Sequence, residues 1–154
     1  MIEPGILAKV PAFKSLEADE LGALSERLNI ENVEGDQAIF NENQIGNDSM
    51  YFILEGTVKI IKKTDDDEKV LAGLKPGDFF GEMSMLQPAP RLASAVAIKP
   101  AKLIRLSDRD YNDFKKTKPA IIVKLNEIFI RTLILRLREA DRMLVKNGSG
   151  IGEI

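Results

Sequence analysis

Hydrophobic and polar positions change their period twice along the chain. Within residues 5–30, Leu21, Leu24 and Leu28 fall at the spacing of one helical face. Ser15 is the expected N-cap there, followed by acids at Glu17, Asp19 and Glu20 that suit a helix start. From Glu31 to Leu106 the pattern breaks into short runs: Gln37–Phe40, Tyr51–Leu54, Thr57–Lys62, Lys69–Leu74, Ala93–Ile98 and Lys102–Leu106. Turn signals separate them, among them Glu34-Gly35-Asp36, Glu55-Gly56, Asp65-Asp66-Asp67 and Lys75-Pro76-Gly77-Asp78. Strands this short and evenly spaced predict an antiparallel sandwich or barrel. Helical period then returns. Ser107 with Asp110 makes a capping-box-like start, with Tyr111 and Phe114 facing inward. Pro119 suits the first turn of a long helix over 120–146, closed by Asn147-Gly148. The expected fold class is mainly β with flanking α, in one domain over residues 1–147, followed by a loose tail at 148–154.

The long helix is too apolar for one buried stripe. Leu125, Ile128, Thr132 and Leu135 form one seam; Phe129, Leu133, Leu137, Ala140 and Leu144 form another. One seam can cover the β-domain, and a copy of the same helix is the simplest partner for the second, which predicts a homodimer. The alternative is a monomer that packs both seams onto itself. Residues 115–146 also carry nine Lys/Arg against three Asp/Glu, although the whole chain has a net charge of −2. A basic solvent face accounts for this, and nucleic acid is not expected as a partner. Lys124, Glu127, Arg131 and Arg136 interrupt the most apolar window, Ala120–Leu137, so no membrane span is expected and the expected location is cytoplasmic.

Composition narrows the chemistry further. The 154 residues include no cysteine and no histidine. Disulfides, thiolate metal sites, His-ligated metals and Ser-His or Cys-His nucleophile pairs are therefore closed. The chain reads as a non-enzyme with no metal site and no cofactor.

The segment that carries chemistry is 77–96, Gly-Asp-Phe-Phe-Gly-Glu-Met-Ser-Met-Leu-Gln-Pro-Ala-Pro-Arg-Leu-Ala-Ser-Ala-Val. Gly77 and Gly81 permit a tight backbone and close approach of a ligand. Glu82–Leu86 can form one helical turn whose amides, from Gly81 to Ser84, make an anion site. The Arg91 guanidinium suits a phosphate because its fork donates two parallel hydrogen bonds. Glu82 accepts only, so its carboxylate should face a hydroxyl such as a ribose 2′-OH. Pro88 and Pro90 stiffen the return to Arg91, and Ala93, Ser94 and Ala95 leave room beside the strand. A loop salt bridge between Glu82 and Arg91, with no ligand, is the competing reading.

Phe80-Gly81-Glu82-Met83 through Pro90-Arg91 to Ala93-Ser94 resembles the phosphate cassette of the cyclic nucleotide-binding domain family, which includes the catabolite activator protein and protein kinase A regulatory subunits. Tyr51–Val58 is similar to that family's early strand–turn–strand, and the likeness runs over about residues 6–146. The resemblance implies an antiparallel, jelly-roll-like β-roll flanked by helices. It implies that the amides of Gly81, Met83 and Ser84 hold the cyclic phosphate with Arg91, while Glu82 holds the ribose. Leu92 and Ser94 join the ligand-binding set, and Arg136 on the closing helix is the candidate to stack on the base by cation–π contact. Two departures stand out. Leu92 replaces the small or hydroxylated residue usual after the arginine, which favours cyclic AMP over cyclic GMP. Asn41-Glu42-Asn43 replaces an expected Glu-Gly pair, so that turn must form on asparagine. Only eight residues follow Lys146, too few for a helix-turn-helix. The expectation is a stand-alone cyclic nucleotide sensor that signals to a downstream protein partner by closure of its C-terminal helix. The alternative is a ligand-free dimerisation or docking module with a vestigial site, for which Leu92 is the best support.

Overall fold

Alternation along two central strands divides the core in two. In the computed structural model of the chain, which describes residues 1–148, strand β3 (Met50–Glu55) sends Met50 and Phe52 to one face and Tyr51 and Ile53 to the other. Strand β8 (Ala101–Leu106) does the same with Ile104 and Leu106 against Ala101 and Leu103. This period of two is what a sheet covered on both faces requires.

Among the described residues, eight strands form two antiparallel four-stranded sheets. One runs in the order β1 (Asn29–Val33), β8, β3, β6 (Phe79–Phe80). The other runs β2 (Ala38–Phe40), β7 (Ser94–Ala97), β4 (Val58–Lys63), β5 (Glu68–Leu74). Val33, Phe40, Tyr51, Ile53, Val58, Phe80, Ala95, Ala97 and Leu103 form one core, between the sheets. The second core lies between the first sheet and the helices, where Phe52, Phe79 and Ile104 meet Leu7, Phe13, Leu24, Phe114, Leu125 and Phe129. The expected fold class, a mainly β antiparallel roll with flanking helices and a long C-terminal helix, is the observed one.

All six expected strands are present, and two more were not foreseen. Residues 29 and 30 were expected to end the first helical region, and no strand was expected at 31–33, but residues 29–33 form β1, in register with β8 from Asn29↔Arg105 to Val33↔Ala101. Only Val33 of β1 is buried, so the strand carries no alternation that could have announced it. Strand β6 is two residues long, too short for any pattern.

The N-terminal region is also more broken than its helical period suggests. It holds α1 (Pro4–Leu7), a 3₁₀ turn (Pro11–Phe13) and α2 (Ala18–Arg27). The cap of α2 is Glu17, not Ser15: Glu17 and Glu20 form a reciprocal capping box. Helix α4 (Asp108–Thr117) begins at Ser107, whose hydroxyl accepts from the Asp110 amide at 3.1 Å.

Helix α5 (Pro119–Lys146) follows with proline in its first turn. Neither expected seam is buried along its length. Burial is confined to the first half, at Ile121, Ile122, Leu125 and Phe129, whereas Leu135, Leu137 and Leu144 are exposed. The reason is length: a helix of 28 residues runs about 42 Å at 1.5 Å per residue, which outruns the body it packs on. No described helix is long and apolar enough to cross a membrane. Beyond Gly148, the expected tail lies outside the described residues.

Candidate ligand-binding site

The segment between β6 and β7 is held at both ends. Gly81 follows β6 with φ +84°, a left-handed conformation that a side chain resists. An added Cβ would lie 3.0 Å from the Ser49 carbonyl oxygen and 3.1 Å from Arg91 Nη1. Glycine here lets the backbone and the arginine share one space. Helix α3 (Glu82–Leu86) starts directly after it.

At the other end, the Arg91 backbone is clamped by the Asn41–Gln44 turn. The Asn43 amide donates to the Arg91 carbonyl at 2.7 Å, and the Arg91 amide donates to the Gln44 carbonyl at 3.0 Å. Asn43 takes φ +68°, so asparagine does adopt the left-handed position expected of this turn.

The Arg91 side chain is buried, at 3% exposure. Nη1 donates to the Gly81 carbonyl at 3.0 Å and Nη2 to the Ser49 carbonyl at 2.6 Å. The guanidinium lies 4.0 Å from the centroid of the Phe40 ring. Among the described residues Nε has no hydrogen-bond partner. Burial lowers the pKa of Arg91, against the pull of Tyr51, Asp48 and Glu82. The group stays charged regardless.

Glu82 is buried too, at 2% exposure. Its partner is Arg136, not Arg91. Arg136 Nη1 donates to Glu82 Oε1 and Nη2 to the Phe79 carbonyl, and the guanidinium lies 5.3 Å from the Phe79 ring centroid. Burial pushes the Glu82 carboxyl above its ordinary value near 4.5. Arg136, the residue's own amide and Arg91 oppose that rise. The loop salt bridge between Glu82 and Arg91 considered from sequence is therefore not formed; the acid pairs across the fold with the long helix.

The structure thus brings Gly81, Glu82, Arg91 and Arg136 together. Ser84 is buried and its hydroxyl donates to the Ala89 carbonyl at 3.3 Å, bracing the loop. Ser94 is buried as well, its hydroxyl accepting from the Glu42 amide at 2.8 Å, so in this state it serves the turn. Met83 and Leu92 are exposed. The Leu92 side chain fills no part of the core, and its carbonyl accepts from Lys62 Nζ at 3.3 Å. The ring beside Arg136 is Phe79 of its own chain. Sequence reasoning missed Phe40 and Ser49, which hold Arg91 in place. Phe40 read only as the end of a strand, and Ser49 lay between a turn signal and a strand.

Comparison with known proteins identifies the family. A family model described as the cyclic nucleotide-binding domain matches residues 30–118, from β1 to the end of α4. A "CRP-like cAMP-activated global transcriptional regulator" of Mycobacterium tuberculosis is 30% identical over 140 residues, covering 90% of this chain and 60% of that protein. The chain therefore spans about three fifths of that regulator's length. A cyclic nucleotide-binding domain from Methylobacillus flagellatus superposes with a TM-score of 0.81 at 26% identity, covering 97% of this chain and 83% of the other. The catabolite activator protein of Thermus thermophilus gives 0.74 at 30% identity, covering 90% and 63%. The matched residues contain both sheets, the cassette with Glu82 and Arg91, and the turn that clamps it, and on that ground the chain belongs to the cyclic nucleotide-binding domain family.

Proposed function

We propose that this chain is a regulatory cyclic nucleotide sensor, with cyclic AMP its ligand in preference to cyclic GMP. The amides of Gly81, Met83 and Ser84 and the Arg91 guanidinium take the cyclic phosphate. Glu82 takes the ribose 2′-OH, and Arg136 faces the base side. Leu92 and Ser94 line the strand beside it. One observation carries the reading: the buried Arg91 Nε has no partner among the described residues, while its two neighbouring nitrogens are spent on carbonyls. An unmatched buried donor costs about 1–3 kcal/mol, more when charged. Such groups persist where a function needs them. A phosphate oxygen would remove that cost and neutralise the charge. The M. tuberculosis relative's description as cAMP-activated, and that of a 36% identical "Cyclic AMP receptor protein" from Thermus thermophilus, support the same ligand.

Signalling runs through α5. A ribose hydroxyl that claims Glu82 competes with Arg136, so ligand binding shifts the balance between positions of the long helix. Val123, Ile130, Leu137 and Leu144 recur every seventh residue on α5 and are at least half exposed. That spacing repeats one of the two apolar positions of a coiled-coil heptad, and a second copy of the chain is the partner proposed for it. The output then passes to a downstream protein; no chemistry on the nucleotide is proposed.

Titration calorimetry tests the reading. Cyclic AMP binds with a Kd on the order of micromolar. Arg91→Ala weakens it by about a hundredfold or more, since it removes a charged hydrogen-bonded partner. Glu82→Ala weakens it by about tenfold. Absence of heat with both cyclic nucleotides in ligand-free wild-type protein would overturn it.

A further inference from the structure

We propose that Arg105, on the far side of β3 from the cassette, is a positioning residue for Arg91 and acts through Ser49. The inference rests on the ligand-binding reading for its consequence, but its geometry stands without ligand. Strand alternation puts Arg105 on the same face of β8 as Ala101 and Leu103, and the register pairs it with Tyr51 of β3. From there Arg105 Nε donates to the Ser49 hydroxyl at 2.8 Å. Ser49 is 1% exposed. Its carbonyl accepts from Arg91 Nη2 at 2.6 Å, and its amide donates to Asn47 Oδ1 at 3.2 Å.

All three polar groups of Ser49 are therefore held at once, one of them by Arg105 and one by Arg91. The carbonyl they position is also the atom that an added Cβ at Gly81 would meet at 3.0 Å. A displaced Ser49 would thus move the arginine's anchor and the start of the cassette together. Arg105 is in turn steadied by Glu31 of the neighbouring strand at 3.4 Å.

The physical consequence follows from burial. Removing Arg105 leaves a buried hydroxyl without its donor, a cost comparable to a lost hydrogen bond. A shift of the Ser49 backbone that brings the hydroxyl to another donor or to water relieves that cost and carries the Ser49 carbonyl away from Nη2. A guanidinium recognises phosphate by the direction of its fork, so a small tilt changes which exocyclic oxygen it serves best. Lysine at 105 keeps the charge but lacks the planar Nε–H, and should not restore the geometry.

Two measurements test this on the whole chain. The first needs no ligand: the exchange rate of the Arg91 Nε–H proton, followed by ¹⁵N NMR. In wild type this buried proton exchanges slowly. In Ser49→Ala, Arg105→Ala and Arg105→Lys it exchanges about tenfold faster. In Ser49→Thr, and in the nearby charge-removing control Arg109→Ala, it is unchanged. The second measurement is the affinity ratio for the two phosphorothioate diastereomers of cyclic AMP, each with one exocyclic oxygen replaced by sulfur. That ratio compresses in Arg105→Lys and Ser49→Ala and is kept in Ser49→Thr. Loss of overall stability alone would weaken both diastereomers equally.

Unchanged Nε–H exchange in Arg105→Ala and Arg105→Lys overturns the inference, whatever the ligand result. Equal weakening of both diastereomers with wild-type exchange overturns it as well. If wild type binds neither diastereomer but Arg105→Lys accelerates the exchange, the positioning role stands and the ligand-binding reading falls.

Discussion

Glu82 is a carboxylate at 2% exposure whose ion-pair partner among the described residues is Arg136, on a helix four elements away along the chain. Burial raises its pKa above the ordinary 4.5. The native state then holds this proton more tightly than the unfolded chain does, so Glu82 makes stability fall as pH rises from about 4.5 through the raised value. Glu20 does the opposite. The Glu17 amide and Lys124 lower its pKa below 4.5, so its contribution is present above that value and is lost as pH falls. The two slopes can be separated. Glu82→Gln cannot ionise, and in urea denaturation its stability should decline less between about pH 4.5 and 7 than that of wild type. The slope is the readout, because the substitution also loosens Arg136 at any single pH. An unchanged slope would assign the titration elsewhere. The charge and spacing of Glu82 and Arg91 were legible in the sequence as an acid and a base on one loop. Their partners were not, because Arg136 and Ser49 lie 54 and 42 residues away and meet them only through folding.

Helix α5 shows what periodicity can and cannot say about an element. Its limits and its proline start follow from local chemistry, and the helical spacing of its apolar residues is unambiguous. Which of those residues are buried depends on how far the folded body extends beneath the helix. Ile121, Leu125 and Phe129 are buried in its core; Leu137 and Leu144 are exposed. The homodimer proposal is therefore tested on the exposed half alone. Wild type should sediment as a dimer, and Leu137→Glu, at a position 58% exposed in the single chain, should sediment as a monomer. Its thermal unfolding should remain cooperative, because the substitution leaves the two cores intact. A monomeric wild type would remove the seam from the proposal.

At the scale of the molecule, two cores share the β1-β8-β3-β6 sheet, and the connections between strands must pass close to one another. Gly56, in the β3–β4 turn at φ +87°, is the tightest such point: an added Cβ would lie 2.5 Å from the Pro100 carbonyl oxygen and 2.8 Å from Ala101 Cα. Both are backbone atoms with little freedom to yield. Gly56→Ala should therefore cost about 3 kcal/mol in urea denaturation. Gly73→Ala, where nothing lies within 4 Å, is the matched control and should cost far less. By itself the sequence determined six of the eight described strands, the two C-terminal helices and the residue types of the cassette, because periodicity, turn residues and caps act over a few neighbours. Only the tertiary structure decided that residues 29–33 become an edge strand on β8, that Glu82 pairs with Arg136, and that Ser49 stands between Arg91 and Arg105. Each of those depends on which distant segments the two cores bring into register, and no short-range pattern encodes that.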